Sequence, residues 1–184
     1  MQGHHLILGE LVDFITGETI RDTHDERYRQ NMARMLVNQK GFMKKEIKPR
    51  RELRVSAGEK SAMIKIDFEI HVSGKIAMII KYGPGSLVTR QRPALAVSRL
   101  VAPYQVPIVV VTNGKDADIL DGKTGEVIAQ SLQSIPSKID LIEKVTTTNL
   151  NRISSEQVEI ESRIVYAYEV DDSCPCDDTI CRLD

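Results

Sequence analysis

Residues 62–82 read AMIKIDFEIHVSGKIAMIIKY. Ile64, Ile66, Phe68, Ile70 and Val72 alternate with Lys65, Asp67, Glu69 and His71, the period of a strand with one apolar and one polar face. Ser73-Gly74 offers the tight turn of a hairpin. Lys75–Tyr82 then returns as a nearly continuous apolar run, which predicts a strand covered on both faces. Two antiparallel strands, one of them fully buried, require neighbours on either side and layers above and below.

The flanking sequence supplies them. Upstream, Glu46–Val55 reads as a strand with Ile47, Leu53 and Val55 as its apolar residues, and Pro49 marks an edge position or a kink. Before it, Asp25–Gln39 carries Tyr28, Met32, Met35 and Leu36 at helical spacing. Thr23 or Asp25 can cap this helix, Asp25 and Glu26 suit its first turn, and Gly41 suits its end. Leu6–Ile20 reads as a short strand or hairpin turning at Thr16-Gly17. Downstream, Gly83-Pro84-Gly85 breaks the pattern ahead of a helix over Leu87–Ala102, with Gln91 in the first turn because Pro93 is tolerated only there. Val106–Thr112 is a β-branched run read as a buried strand, Asn113-Gly114 turns it, and Asp118–Leu120 pairs back before a second turn at Gly122 and Gly125. Pro136–Val145 and Ser155–Tyr168 read as helices, and the acidic tail after Val170 as irregular. The expected fold is therefore α/β, a mixed central sheet flanked by helices. Residues 1–150 form the main domain in this reading, and 151–184 a C-terminal helix with a cysteine-containing tail.

Composition restricts function only broadly. The 184 residues are 41% hydrophobic and 28% charged, with a net charge of -1, as for a soluble globular protein that needs no disulfide or metal to fold. The start of the chain lacks the form of a signal peptide and no apolar run approaches membrane length, so cytoplasmic residence is expected. Charge is uneven locally. Lys40, Lys44, Lys45, Lys48, Arg50, Arg51 and Arg54 face only Glu46 and Glu52 within one stretch, a basic segment able to attract phosphate. The three cysteines, Cys174, Cys176 and Cys181, have a spacing that thiolate metal sites use, and zinc there would need a fourth ligand such as Asp177 or Asp178. His71 shares the polar strand face with Asp67, and His4 and His5 sit near the terminus. Gly83–Ser86 lacks the pattern of a phosphate-binding P-loop, and no ATP motor is present.

Asp67 and Lys81 carry the chemistry of interest. They lie on strands joined by a hairpin, and a helix bearing Glu26 precedes them. Two carboxylates and a lysine would suit phosphodiester hydrolysis, with the acids holding a divalent cation and the lysine acting on a water. The plainer reading of the same pair is a cross-strand ion pair.

At these residues the chain resembles a known family. The stretches DERYRQNMARMLVNQKGFMKKEI (25–47), IKIDFEIHVSGKIAMIIKYGPGS (64–86), RQRPALAVSRL (90–100) and VPIVVVTNGKDADILD (106–121) are similar in order and character to the N-terminal domain of type I restriction R subunits, within the PD-(D/E)xK nuclease superfamily. The resemblance spans about residues 22–130 and implies a restriction-endonuclease-like fold, a DNA substrate and Mg2+ as cofactor. By analogy with such nucleases it also implies a homodimer. It implies that Glu26 is the acid of the helix, Asp67 the metal-binding aspartate, Lys81 the lysine of Glu-x-Lys and Gln91 the glutamine of the following helix. Thr112, Asn113 and Gly114 would be the strand-end motif, with a structural role. One position departs: Ile79 stands where the glutamate of Glu-x-Lys belongs, and isoleucine cannot bind metal. Glu69 or Glu52 could replace it. Otherwise the domain keeps the fold and binds nucleic acid or a protein partner without cutting.

Overall fold

In the computed structural model, residues 8–170 are described in full and 171 and 180–183 as backbone. A hairpin of β1 (Gly9–Val12) and β2 (Thr19–Asp22) leads into helix α1 (His24–Asn38), which Thr23 caps by accepting from the Glu26 N–H. The main sheet follows: β3 (Ile47–Ala57), β4 (Lys60–Val72) and β5 (Lys75–Tyr82), each antiparallel to the strand before it. Helix α2 (Val88–Leu100) carries the chain to β6 (Ile108–Thr112), which lies parallel to β5. β7 (Ala117–Asp121) and β8 (Val127–Gln130) complete the antiparallel end, giving the order β3-β4-β5-β6-β7-β8. Helices α3 (Lys138–Thr147) and α4 (Ser155–Tyr166) come last, α4 running into a π-helical turn over Ala167–Asp171.

This is the mixed α/β sheet expected from the sequence, with three differences. The strand Val127–Gln130 lies outside the sequence expectation; it is too short and too exposed to carry a periodic signal. The helix expected to reach Tyr168 ends at Tyr166. The tail read as irregular contains a ninth strand, β9 (Ile180–Leu183), which pairs antiparallel with Ser61–Ile64 of β4, the stretch of β4 that β5 does not reach. Cys174 and Cys176 lie outside the described residues, and for Cys181 only the backbone is described, in β9.

The core has two parts. On one face of the sheet, Met78, Ile80, Val110 and Ile119 pack with Leu36 of α1 and Leu141 of α3. On the other, Ile79, Val109, Val111 and Leu120 pack with Leu95 and Val97 of α2 and Val165 of α4. From Met78 onward in β5, and along β6 and β7, successive residues thus alternate between the layers, as strand geometry demands; Ala77, at the register shift against β4, shares the α1/α3 core with Met78.

β4 breaks this rule, and the break corrects the single apolar face read from its sequence. Phe68, Ile70 and Val72 belong to the α1/α3 core, whereas Ile64 and Ile66 belong to the α2/α4 core. The switch falls at Asp67. In the partner strand, Pro49 pairs with Phe68 and Arg51 with Ile66, but the intervening Arg50 and Asp67 are not paired, and Arg50 adopts φ 51°. A left-handed, non-glycine residue in a ladder reverses the side to which the following residues point. The β3–β4 ribbon therefore rolls over at Arg50/Asp67 and offers its apolar side first to one core and then to the other.

Candidate functional site

The roll-over, the end of β5 and the start of α1 meet in one place. β4 and β5 pair only as far as Phe68↔Ile80. Beyond that point the strands splay, and the Tyr82 N–H donates to Asp67 Oδ2 at 2.7 Å. Asp67 Oδ1 accepts from Arg29 Nε at 2.6 Å, so the carboxylate turns toward the α1 layer. Arg29 also lies over the Tyr82 ring, 5.2 Å from its centroid, and its Nη1 is 3.6 Å from Glu26 Oε2. Burial works against the charge on Arg29, but the adjoining Asp67, with Glu26 and Asp25, holds its guanidinium above the ordinary range. Tyr82 stacks on Tyr28 and donates its hydroxyl proton to Asp25 Oδ1 at 2.8 Å; burial, with that carboxylate, raises its phenol well above the ordinary value.

A second set of contacts backs this one. Glu26 and Gln30 sit one helical turn apart on the buried face of α1, where Gln30 Nε2 donates to Glu26 Oε1 and to Asp13 Oδ2, both at 2.9 Å. Arg50 reaches from the roll-over to Asp13 at 2.8 Å and to Glu26 at 3.3 Å. Asp13 also receives the Ile15 and Thr16 N–H groups, which closes the β1–β2 turn.

Lys81 lies elsewhere. It pairs with Val111 of the next strand, so its side chain faces the α2/α4 layer, donating to Lys65 O at 2.8 Å and to Glu169 Oε2 at 2.9 Å. Gln91 is on that layer too, but it donates to Asp118 Oδ2, whose other oxygen accepts from Gln130. Asp118 pairs with Val111, two strands from Lys81. Glu69 is occupied by His71, Arg51 and Lys48. Ile79 is 0% exposed within the α2/α4 core. Thr112 hydrogen-bonds Asp116 O and receives the Gly114 N–H, and Asn113 reaches Gly85 O, so these residues brace the loops at the ends of β5 and β6.

The structure thus gathers Glu26 and Asp67 around one guanidinium and leaves Lys81, Gln91 and Glu69 with separate partners. Arg29 could be placed from sequence, at i+3 from Glu26 on the buried helix face. Arg50 and Glu169 had no local signal, because a left-handed arginine and a contact 88 positions long are tertiary events.

The donor set does not fit a divalent cation. Such an ion needs several unoccupied hard oxygens converging on one point. Both Asp67 oxygens are engaged, Glu26 is shared by Arg29, Arg50 and Gln30, and among the described residues no group of three His, Cys, Asp or Glu side chains converges.

The family described as the type I restriction enzyme R protein N terminus matches residues 24–136. The chain belongs to that family. No curated protein and no solved structure matches it. The matched segment of this R-protein N-terminal domain runs from the start of α1 past β8, so it includes the roll-over and the Arg29 cluster. No described helix is long and apolar enough to cross a membrane.

Among the carboxylates held below their usual range, Asp13 and Glu161 are the most buried, and they make the fold acid-sensitive. Burial opposes ionisation of Asp13, but the Thr16 N–H, Gln30 and Arg50 outweigh it and hold the group below its usual range. Burial likewise opposes ionisation of Glu161, and Arg92, Arg99 and Gln157 outweigh it. A depressed folded value means that the stabilisation is complete above the unfolded value, near pH 4, and is lost as pH falls through the folded one. The urea midpoint should therefore hold between about pH 5 and 7 and drop below about pH 4. In Glu161→Gln the drop should be shallower, as read by far-UV circular dichroism; an identical profile would refute the contribution of that group.

Proposed function

We propose that this chain is a nuclease-fold module that binds DNA without cleaving it. The binding half is supported by the family, named for the R protein of type I restriction enzymes, and by the basic segment of β3. The non-cleaving half rests on one observation: the Arg29 guanidinium holds Asp67 at 2.6 Å and stands 3.6 Å from Glu26. A fixed, permanently charged side chain there does what a metal would do electrostatically, but it carries no water to activate. Lys81, facing the other layer against Glu169, is out of register with those acids, and Ile79 supplies apolar packing where a further ligand would stand.

The rival reading is a Mg2+-dependent endonuclease using Asp67, Glu26 and Lys81, with Gln91 positioning substrate. Its support is the convergence of Asp67 and Glu26 on a single cation. Supercoiled plasmid incubated with the protein and Mg2+ or Mn2+ separates the two. We expect no nicking or linearisation, together with retention of duplex DNA that weakens steeply as salt rises. Cleavage that requires the divalent ion and disappears in Lys81→Ala would overturn the proposal.

A further inference from the structure

The roll-over has a second effect, on the outer strand. In a regular strand Lys48 and Arg51, three residues apart, would point to opposite faces. With Arg50 at φ 51° both point toward Glu69. Glu69 is 2% exposed, yet its contacts with them are long: 3.8 Å from Lys48 Nζ and 3.6 Å from Arg51 Nε. By contrast, pairs elsewhere in the protein, such as Arg29–Asp67 and Arg92–Glu161, close to 2.6 Å. The tight partner of Glu69 is His71, whose Nε2 donates to the carboxylate at 2.5 Å. Lys48 and Arg51 are therefore oriented by a buried anion without being consumed by it, and their side chains remain 57% and 55% exposed. β3 terminates the sheet, so this cluster lies along the sheet's outer margin.

We infer that Lys48 and Arg51, gathered with His71 around Glu69, form a contact site for the backbone phosphates of duplex DNA; this rests on the DNA-binding reading above. The chemistry fits a phosphate. Arginine offers a planar fork for two oxygens, and lysine a mobile point charge. Glu69 is a positioning residue: it gathers the cations from beneath and leaves their outer donors to the ligand. Two cations, Lys48 and Arg51, against one carboxylate leave the cluster net positive, which suits an anion.

The experiment measures binding of a fluorescent 30-base-pair duplex across a salt series. Wild type is compared with Lys48→Gln/Arg51→Gln and with a triple variant that adds Glu69→Gln, so that no buried carboxylate is left unmatched if the double variant unfolds. Each phosphate contact contributes about 0.9 to the slope of log K against log salt. Losing two should lower the slope by about 2 and weaken binding on the order of tenfold near 0.1 M salt. The charge-conserving Lys48→Arg/Arg51→Lys should keep the wild-type slope. Wild type that binds, with folded variants of unchanged slope, overturns this site while leaving DNA binding intact. Wild type that shows no salt-sensitive binding overturns both. Polyglutamate retained as well as DNA points instead to an acidic protein partner and overturns the phosphate assignment.

Discussion

Restoring the family glutamate as Ile79→Glu should come close to unfolding this domain and should create no nuclease. Ile79 has no exposed surface and packs among Val109, Val111 and Leu95. A fully buried carboxylate typically has its pKa raised by about 3–5 units, and each unit corresponds to about 1.4 kcal/mol. With an unfolded value of about 4.3, at most about 2.7 of those units count at pH 7, so the charge costs about 4 kcal/mol there before the lost apolar packing is added, against a total stability of about 5–15 kcal/mol for a typical domain. Glu69 sits directly across the ladder from Ile79, so the new charge would also face a like one. The raised pKa gives the loss a direction: the deficit is full above the raised value and should shrink as pH falls below it toward the unfolded value, near pH 4. Ile79→Val, which only trims the side chain, should cost about 0.5–1.5 kcal/mol. Urea unfolding of the three proteins at two pH values checks this. An Ile79→Glu protein as stable as wild type, with Mg2+-dependent cleavage, would show that a metal site is ready to form.

Arg29→Ala should rank next, at about 3–5 kcal/mol, because removing one partner of a buried ion pair leaves the other charged and unmatched. Among the described residues, Asp67 would keep only the Tyr82 N–H, Glu26 would lose one of its two guanidinium neighbours, and the Tyr82 ring would lose its covering cation. Combining Arg29→Ala with Asp67→Asn removes the orphaned charge and should recover part of the loss, a non-additivity visible in a double-mutant cycle. Additive costs would mean that the pair is a crossing of side chains without energetic coupling.

The hairpin centred on Ser73-Gly74, the buried character of β5 and of β6, and the helix starting near Thr23 are all visible in local pattern, because each depends on periodicity or on a cap. The grouping of Glu26, Arg29 and Gln30 follows from helical spacing in the same way. What stays hidden depends on one dihedral angle and on distant partners. Alternation in Ile64–Val72 predicts a single apolar face, yet the faces exchange at Asp67 because Arg50, an ordinary arginine in composition, takes a left-handed conformation. That exchange turns Asp67 toward α1 while Lys81 faces Glu169, so adjacency in the hairpin did not become adjacency of the two side chains. β9 stays hidden because four residues in an acidic tail have no period of their own and become a strand only by lying along β4.

The ribbon that changes sides also bears on how the protein comes apart. A sheet with separate helical layers could in principle lose one layer and retain the other, as a partly melted intermediate. Here β3 and β4 are stitched through both, with Ile47 and Phe68 committed to one core and Val55 and Ile66 to the other. Neither core can dissolve without dragging the same two strands, so the halves are mechanically yoked and heat or denaturant should meet one cooperative unit.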